Sequence, residues 1–316
     1  MIQTTPQYPA TDPIFAATLL VIAMAAAVWH EWKTKHRIHP STILWPLPFL
    51  ASEILVATWG IMGICWADAS SICIHAVTTL ICGVVPILRR PFLDWLNKQD
   101  GVMPYAISIG RDVLLMAAAS AISVISLETA CNSKHLASIP SAFFYASALI
   151  VFLIMLILYF VGQRCGGACC IAAVACCGFG IAEHFVIKFK GAALLPSDLL
   201  AMGTAMAVSE GYRFTFNTNI VASLTWAAVA CALLSLISPP RLRKRSHVIA
   251  RVGVNILCAL ITWSYASSAF ANVKLEDALD FSYDRWWPIS SYQTYGFIPV
   301  FTATAQNFEI EQPDHY

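Results

Sequence analysis

Eight apolar runs, each close to the length of a membrane crossing, recur along the chain at 13–30, 43–66, 70–88, 106–127, 140–161, 167–187, 218–238 and 250–271. A crossing needs about 20 predominantly apolar residues to span roughly 30 Å of hydrocarbon. Within that layer only a helix or a closed barrel satisfies every backbone amide internally. The pattern therefore predicts an all-α fold, a polytopic transmembrane helical bundle of about eight spans with one short interfacial or re-entrant helix. Composition agrees: 58% of residues are hydrophobic and 12% charged, against about 45–50% and roughly 25% in a soluble domain. The net charge of +1 gives nucleic acid no electrostatic footprint, so none is expected as a partner.

The first run follows Gln, Tyr, Pro and Asp rather than a basic stretch, so residues 1–12 are read as a polar leader without a cleavable signal peptide. Asp68-Ala69-Ser70 couples the second and third spans into a helical hairpin. At the entrance of the fourth, Arg111 and Asp112 either mark the interface or form an adjacent ion pair a short way inside. Placing the N-terminus outside leaves eleven Lys and Arg on inner loops: Lys33, Lys35, Arg37, Arg89, Arg90, Lys98, Arg164, Arg241, Arg243, Lys244 and Arg245. Six fall outside: Lys134, Lys188, Lys190, Arg213, Lys274 and Arg285. Cytoplasmic loops carry the excess of basic residues. The expected localisation is therefore a multi-pass protein of the cell membrane with both termini extracellular.

The eleven cysteines do not form a disulfide framework. Ten lie in or at the edges of apolar runs, and Cys131 is expected in a loop. Cys169-Cys170 and Cys176-Cys177 lack the His and supporting carboxylates that a metal centre wants. They read as small packing residues.

Two outer segments are more informative. In 186–217, Lys188 and Lys190 close the sixth span as snorkelling cations, and Gly191 lets the chain turn. Pro196-Ser197-Asp198 has the composition of a helix start, with Ser197 as cap and Asp198 complementing the dipole. Leu199, Met202 and Met206 continue at helical spacing to a stop at Gly211, with Tyr212, Arg213, Phe214 and Phe216 as anchors. A helix of about 12 residues is too short to cross. Its N-terminus with Lys188 and Lys190 suits an anionic lipid headgroup; plain anchoring at the interface explains the same residues. The candidate headgroup residues are Lys188, Lys190, Ser197, Asp198, Tyr212 and Arg213. In 272–316, Tyr283, Trp286, Trp287, Tyr292 and Tyr295 suit a connector lying along the headgroup layer.

Glu53, deep in the second span, and Glu183, near the outer end of the sixth, are intramembrane carboxylates and functional candidates on that ground. A bonded structural role serves them equally. Glu183-His184 resembles an acid/base pair, but adjacent helical residues point about 100° apart. No catalytic or nucleotide-binding motif is present, and no catalytic or metal-ligating residue is assigned.

The run "HFVIKFKGAALLPSDLLAMGTAMAVSEGYRF" resembles a segment of the membrane region of lipoteichoic acid synthase-like proteins. There a pattern "FRG-x-P-hLPSDhhAhGTAhxV…Y-x-F" precedes the last two helices. The tail "YGFIPVFTATAQNFEIEQPDHY" resembles the segment leading into their extracellular domain. The resemblance covers about 183–216 and 295–316, with Lys190 in place of Arg and Ala192-Ala193 in place of Thr-Pro. It implies a sulfatase- or alkaline-phosphatase-like domain beyond Tyr316, holding a divalent metal (Mn or Mg) and a Thr nucleophile. That domain transfers phosphoglycerol from a lipid donor. The expectation is that this chain is the membrane half of such an enzyme, a fragment or truncated frame. It would be non-catalytic by itself and cofactor-free, with membrane lipids and its own missing domain as partners. The rivals are a complete transporter or lipid flippase using Glu53 and Glu183, and a non-catalytic scaffold.

Overall fold

A computed structural model describes residues 11–36, 40–96, 102–200, 213–237, 245–284 and 286–307. The protein is an all-α polytopic bundle. Eight helical segments are long and apolar enough to cross a membrane: Thr11–Thr34, Pro40–Ile61, Ala69–Arg89, Ser108–Asn132, Ser141–Val161, Gly166–Lys190, Thr218–Ser235 and Arg251–Asn272. In element terms these belong to α1 (Thr11–Lys35), α2 (Pro40–Leu44) with α3 (Leu47–Ile61), α4 (Ala69–Leu96) and α5 (Val102–Asn132). The later spans are α6 (Ser141–Val161), α7 (Gly166–Lys190), α9 (Thr218–Ser235) and α10 (Arg245–Asn272). Short helices α8 (Pro196–Leu200), α11 (Leu275–Leu279), α12 (Pro288–Tyr295) and α13 (Phe297–Gln306) lie between or after them.

At the centre, α5 packs against α6, α7 and α9, and α9 also meets α4 and α7. The outermost helices are α1, on α3 and α4, and α10, on α6. Small residues permit the close approaches. A Cβ on Gly166 would lie 1.9 Å from the Leu234 carbonyl oxygen, and one on Gly180 would lie 2.5 Å from that of Leu127. Such approaches let helices associate where lipid tails remove the hydrophobic drive. The cysteines serve the same end. All eleven are free, with Cys169, Cys176 and Cys177 buried, and Cys177 Sγ is 3.3 Å from the Ser223 hydroxyl.

Two sequence expectations need correction here, and one open alternative is decided. The second span, expected as one run over 43–66, is broken between α2 and α3 at Trp45-Pro46 and ends at Ile61. Pro46 and Pro48 lack N–H donors and their rings crowd the preceding turn. At the other end Gly63 turns left-handed (φ 68°), and Cys65–Trp66 pair in parallel with Phe216–Asn217. Cys131, expected in a loop, lies in the last turn of α5, which runs on to Asn132. Arg111 and Asp112 resolve as an ion pair of 2.8 Å, with Asp112 wholly buried. Arg164 reaches the other Asp112 oxygen at 2.9 Å.

The segment after α10 is folded. Phe297, Val300 and Ala303 enter the main core, while Phe143 of α6 packs on Phe281 and Tyr295. The Gln306 amide donates to the Phe270 and Val273 carbonyls and accepts from the Leu275 N–H, tying α13 to the end of α10. Tyr292, expected among the headgroups, is buried; Trp286 and Trp287 are exposed.

Candidate functional site

The site is built where α5 and α7 end on the same face. On α5, Glu128, Cys131 and Asn132 are spaced i, i+3, i+4 and share one side of the helix. On α7, Glu183 and Ile187 form one column, His184 and Lys188 the next. Two cavities open between these helices. One, of about 70 Å³, is lined by Glu128, Asn132, Glu183, Tyr292 and Phe297. The other, of about 260 Å³, is lined by His184, Lys188 and Asn217. Cys131 and Ile187 wall both.

The smaller cavity is bordered by carboxylates that organise backbone from distant parts of the chain. Glu128 is 1% exposed. It accepts from the Phe297 N–H at 2.6 Å and from the Asn132 amide at 3.3 Å. The Asn132 amide also donates to the Tyr292 and Gln293 carbonyls. Gly296, at φ 85°, makes the turn that presents Phe297; a Cβ there would sit 3.0 Å from Glu128 Oε1. Glu183, also 1% exposed, accepts from the Leu194 N–H at 2.7 Å. The Tyr292 hydroxyl donates to the Leu194 carbonyl at 2.8 Å, so that peptide is clamped between α7 and α12. Burial holds the Tyr292 phenol well above its ordinary range, which keeps it a donor.

In the larger cavity, His184 Nδ1 donates to the Ala130 carbonyl at 3.1 Å, leaving Nε2 beside the Asn217 amide at 3.5 Å. Glu183 and His184 thus face different cavities and form no acid/base pair. Lys188 bonds the Thr215 hydroxyl.

Of the six headgroup candidates, Lys188 lines the larger cavity. Lys190 pairs with Asp198 at 2.7 Å. It is the Asp198 carboxylate that accepts from the Leu195 N–H at 2.9 Å, at the start of α8. Ser197 is half-buried and Arg213 exposed. Tyr212 lies outside the described residues, as do Met202, Met206 and Gly211 of the expected interfacial helix, whose described part is α8.

Glu53 and Glu183 stand in separate clusters. Glu53, fully buried, lies 4.0 Å from His75 Nε2. His75 in turn meets Ser52 and Thr225. Neither Glu53 oxygen has a hydrogen-bond partner among the described residues. Sequence reasoning missed Glu128, Asn132 and the burial of Tyr292. The usable signal was "SLETACN", which follows the apolar run of the fourth span and holds Glu and Asn four residues apart, but that span was ended at 127, one residue short of the carboxylate.

The fold and this site define a multi-pass membrane protein with a polar pocket at one end of its helices. Compared with protein-family models, curated proteins and solved structures, the chain matches none. Among the described residues, no group of three or more His, Cys, Asp or Glu is placed to hold a metal ion.

Proposed function

We propose that this chain is the membrane platform of a lipoteichoic acid synthase-like phosphoglycerol transferase, multi-pass in the cell membrane with both termini outside. One observation carries the reading. Described parts of the two separated stretches that resemble that family, 183–200 and 295–307, meet at one corner, where the α12–α13 cap docks on the loop after α7 and on α8. The packing of α13 on α8 makes that contact; beside it, Tyr292 just ahead of the second stretch donates to the Leu194 carbonyl, and Glu128 of α5 accepts from the Phe297 N–H. A segment that led into a soluble domain would thereby leave the bundle at a fixed position.

The eleven-to-six division of Lys and Arg supports an outer placement for this corner. Lys188 and the exposed Arg213 then lie at headgroup level, where cations attract anionic lipid. The chain's own part in the reaction is to anchor and to hold a catalytic domain over the outer leaflet. The divalent metal implied by the resemblance has no ligand set among the described residues, and no step of this proposal runs through it.

The test is to sequence the DNA beyond the Tyr316 codon. The reading expects an in-frame soluble α/β domain with an Asp/Glu/His metal set and a Thr nucleophile. A stop codon at that point overturns it.

A further inference from the structure

The smaller cavity has a mixed lining in which Glu128, Glu183 and Asn132 supply carboxylate and amide oxygens beside Ile187, Ile289 and Phe297. Glu183 Oε1 and Asn132 Oδ1 are buried and have no partner among the described residues, although both side chains are more than nine-tenths buried. A buried acceptor without a donor costs about 1–3 kcal/mol. Both residues line one cavity together with Glu128, and this gathering of buried oxygens points to something positive that belongs there. The surrounding cations do not supply it. Lys190 is held by Asp198 at 2.7 Å, and Lys188 lines the neighbouring cavity and bonds Thr215. The C-terminal end of α5 adds partial negative charge from its last carbonyls, which favours a cation further.

We propose that Glu128, Glu183 and Asn132 hold one compact monovalent cation, an alkali ion or a primary ammonium group. About 70 Å³ accommodates such an ion with one water, given roughly 30 Å³ for a water in the liquid. Glu183 and Glu128 each already accept a backbone N–H, so the cavity offers fewer free oxygens than the 6–8 that calcium takes, and it has no room for the several waters that magnesium keeps. A primary ammonium donates three hydrogen bonds, one for each of these side chains. The cation ties the ends of α5 and α7 to the cap. This site stands independently of the platform reading, since it asks only for the cavity and its acceptors.

The experiment measures Tm of the purified full chain in lipid nanodiscs. Sodium chloride or methylammonium chloride is titrated against N-methyl-D-glucamine chloride at constant ionic strength. The expected result is a saturable rise, on the order of 5 °C once the cation exceeds its Kd a hundredfold. A response to sodium assigns an alkali ion, and one to methylammonium alone assigns an ammonium group. Glu183→Gln and Glu128→Gln keep an oxygen for Leu194 and Phe297 but are expected to abolish the rise. No saturable shift, an equal shift with N-methyl-D-glucamine, a shift with divalent ions only, or a response retained in both variants overturns the proposal. If the variants fail to fold, the wild-type titration decides by itself.

Discussion

Replacing Gly180 with Ala tests the packing argument at the close contact between α5 and α7, the two helices that frame the site. The new Cβ would lie 2.5 Å from the Leu127 carbonyl oxygen and 2.9 Å from its Cα, where ordinary contact begins at 3.4 Å. The shortfall, 3.4 − 2.5 = 0.9 Å, falls against backbone, so no side chain can swing aside and α5 must part from α7. Overpacking of this kind costs about 1–3 kcal/mol, partly offset by roughly 1 kcal/mol of helix propensity gained over Gly. Gly178, two residues earlier, is the control: a Cβ there meets nothing within 4 Å, so only the propensity gain applies. The two variants should therefore differ by about 1–3 kcal/mol, a Tm gap of about 2–6 °C with Gly180→Ala the lower. The buried cysteines Cys176 and Cys177 provide the readout, since a maleimide dye reacts with them only as the bundle opens. If Gly180→Ala melts at or above Gly178→Ala, close helix contact is not what holds α5 to α7.

Two further outcomes follow from other parts of the molecule. Hydrogen bonds from Ser70 and Thr218, and then from Ser71, hold the Asp68 carboxyl well below its ordinary value of 3.8. Because the folded value is the depressed one, this stabilisation is full above the ordinary value and is lost as pH falls below it. Tm measured from pH 6 to pH 3 should fall less steeply in Asp68→Asn than in wild type; identical acid limbs would refute the role of this cap. At the opposite face, Arg164→Met strips one partner from buried Asp112, leaving Arg111 and Tyr159. A loss of about 3 kcal/mol is expected, and Asp112→Asn in the same chain should restore at least half of it in Tm. A double variant as unstable as the single one would show that the charge pairing is not the cause.

Much of the fold was legible in the sequence because it rests on local quantities. The length of an apolar run decides whether a segment crosses, so eight spans could be counted without knowing any contact. Gly191 was legible for the same reason: its left-handed conformation, φ 68°, closes α7 where a residue without a Cβ was expected to turn the chain. Where the expectation failed, it failed at boundaries. Hydropathy averages over Pro46 and Pro48 and cannot see the break that their missing N–H groups impose between α2 and α3.

The site was legible only in pieces. Glu183 stood out as a carboxylate inside a span, and Lys188 as a cation at its end. Their partners did not, because the atoms that complete the pocket come from 11 to 169 residues away. Tyr292 illustrates the difference. Its type and position suited the headgroup layer, and only the docking of α12 on the Leu194 loop decided that its ring is buried and its hydroxyl bonded inward. The sequence by itself determined that the chain is a multi-pass helical protein, since hydrocarbon admits no other use for eight such runs. Which polar side chains share a cavity at the end of the bundle was decided by tertiary packing, because burying a carboxylate requires donors that no local pattern supplies.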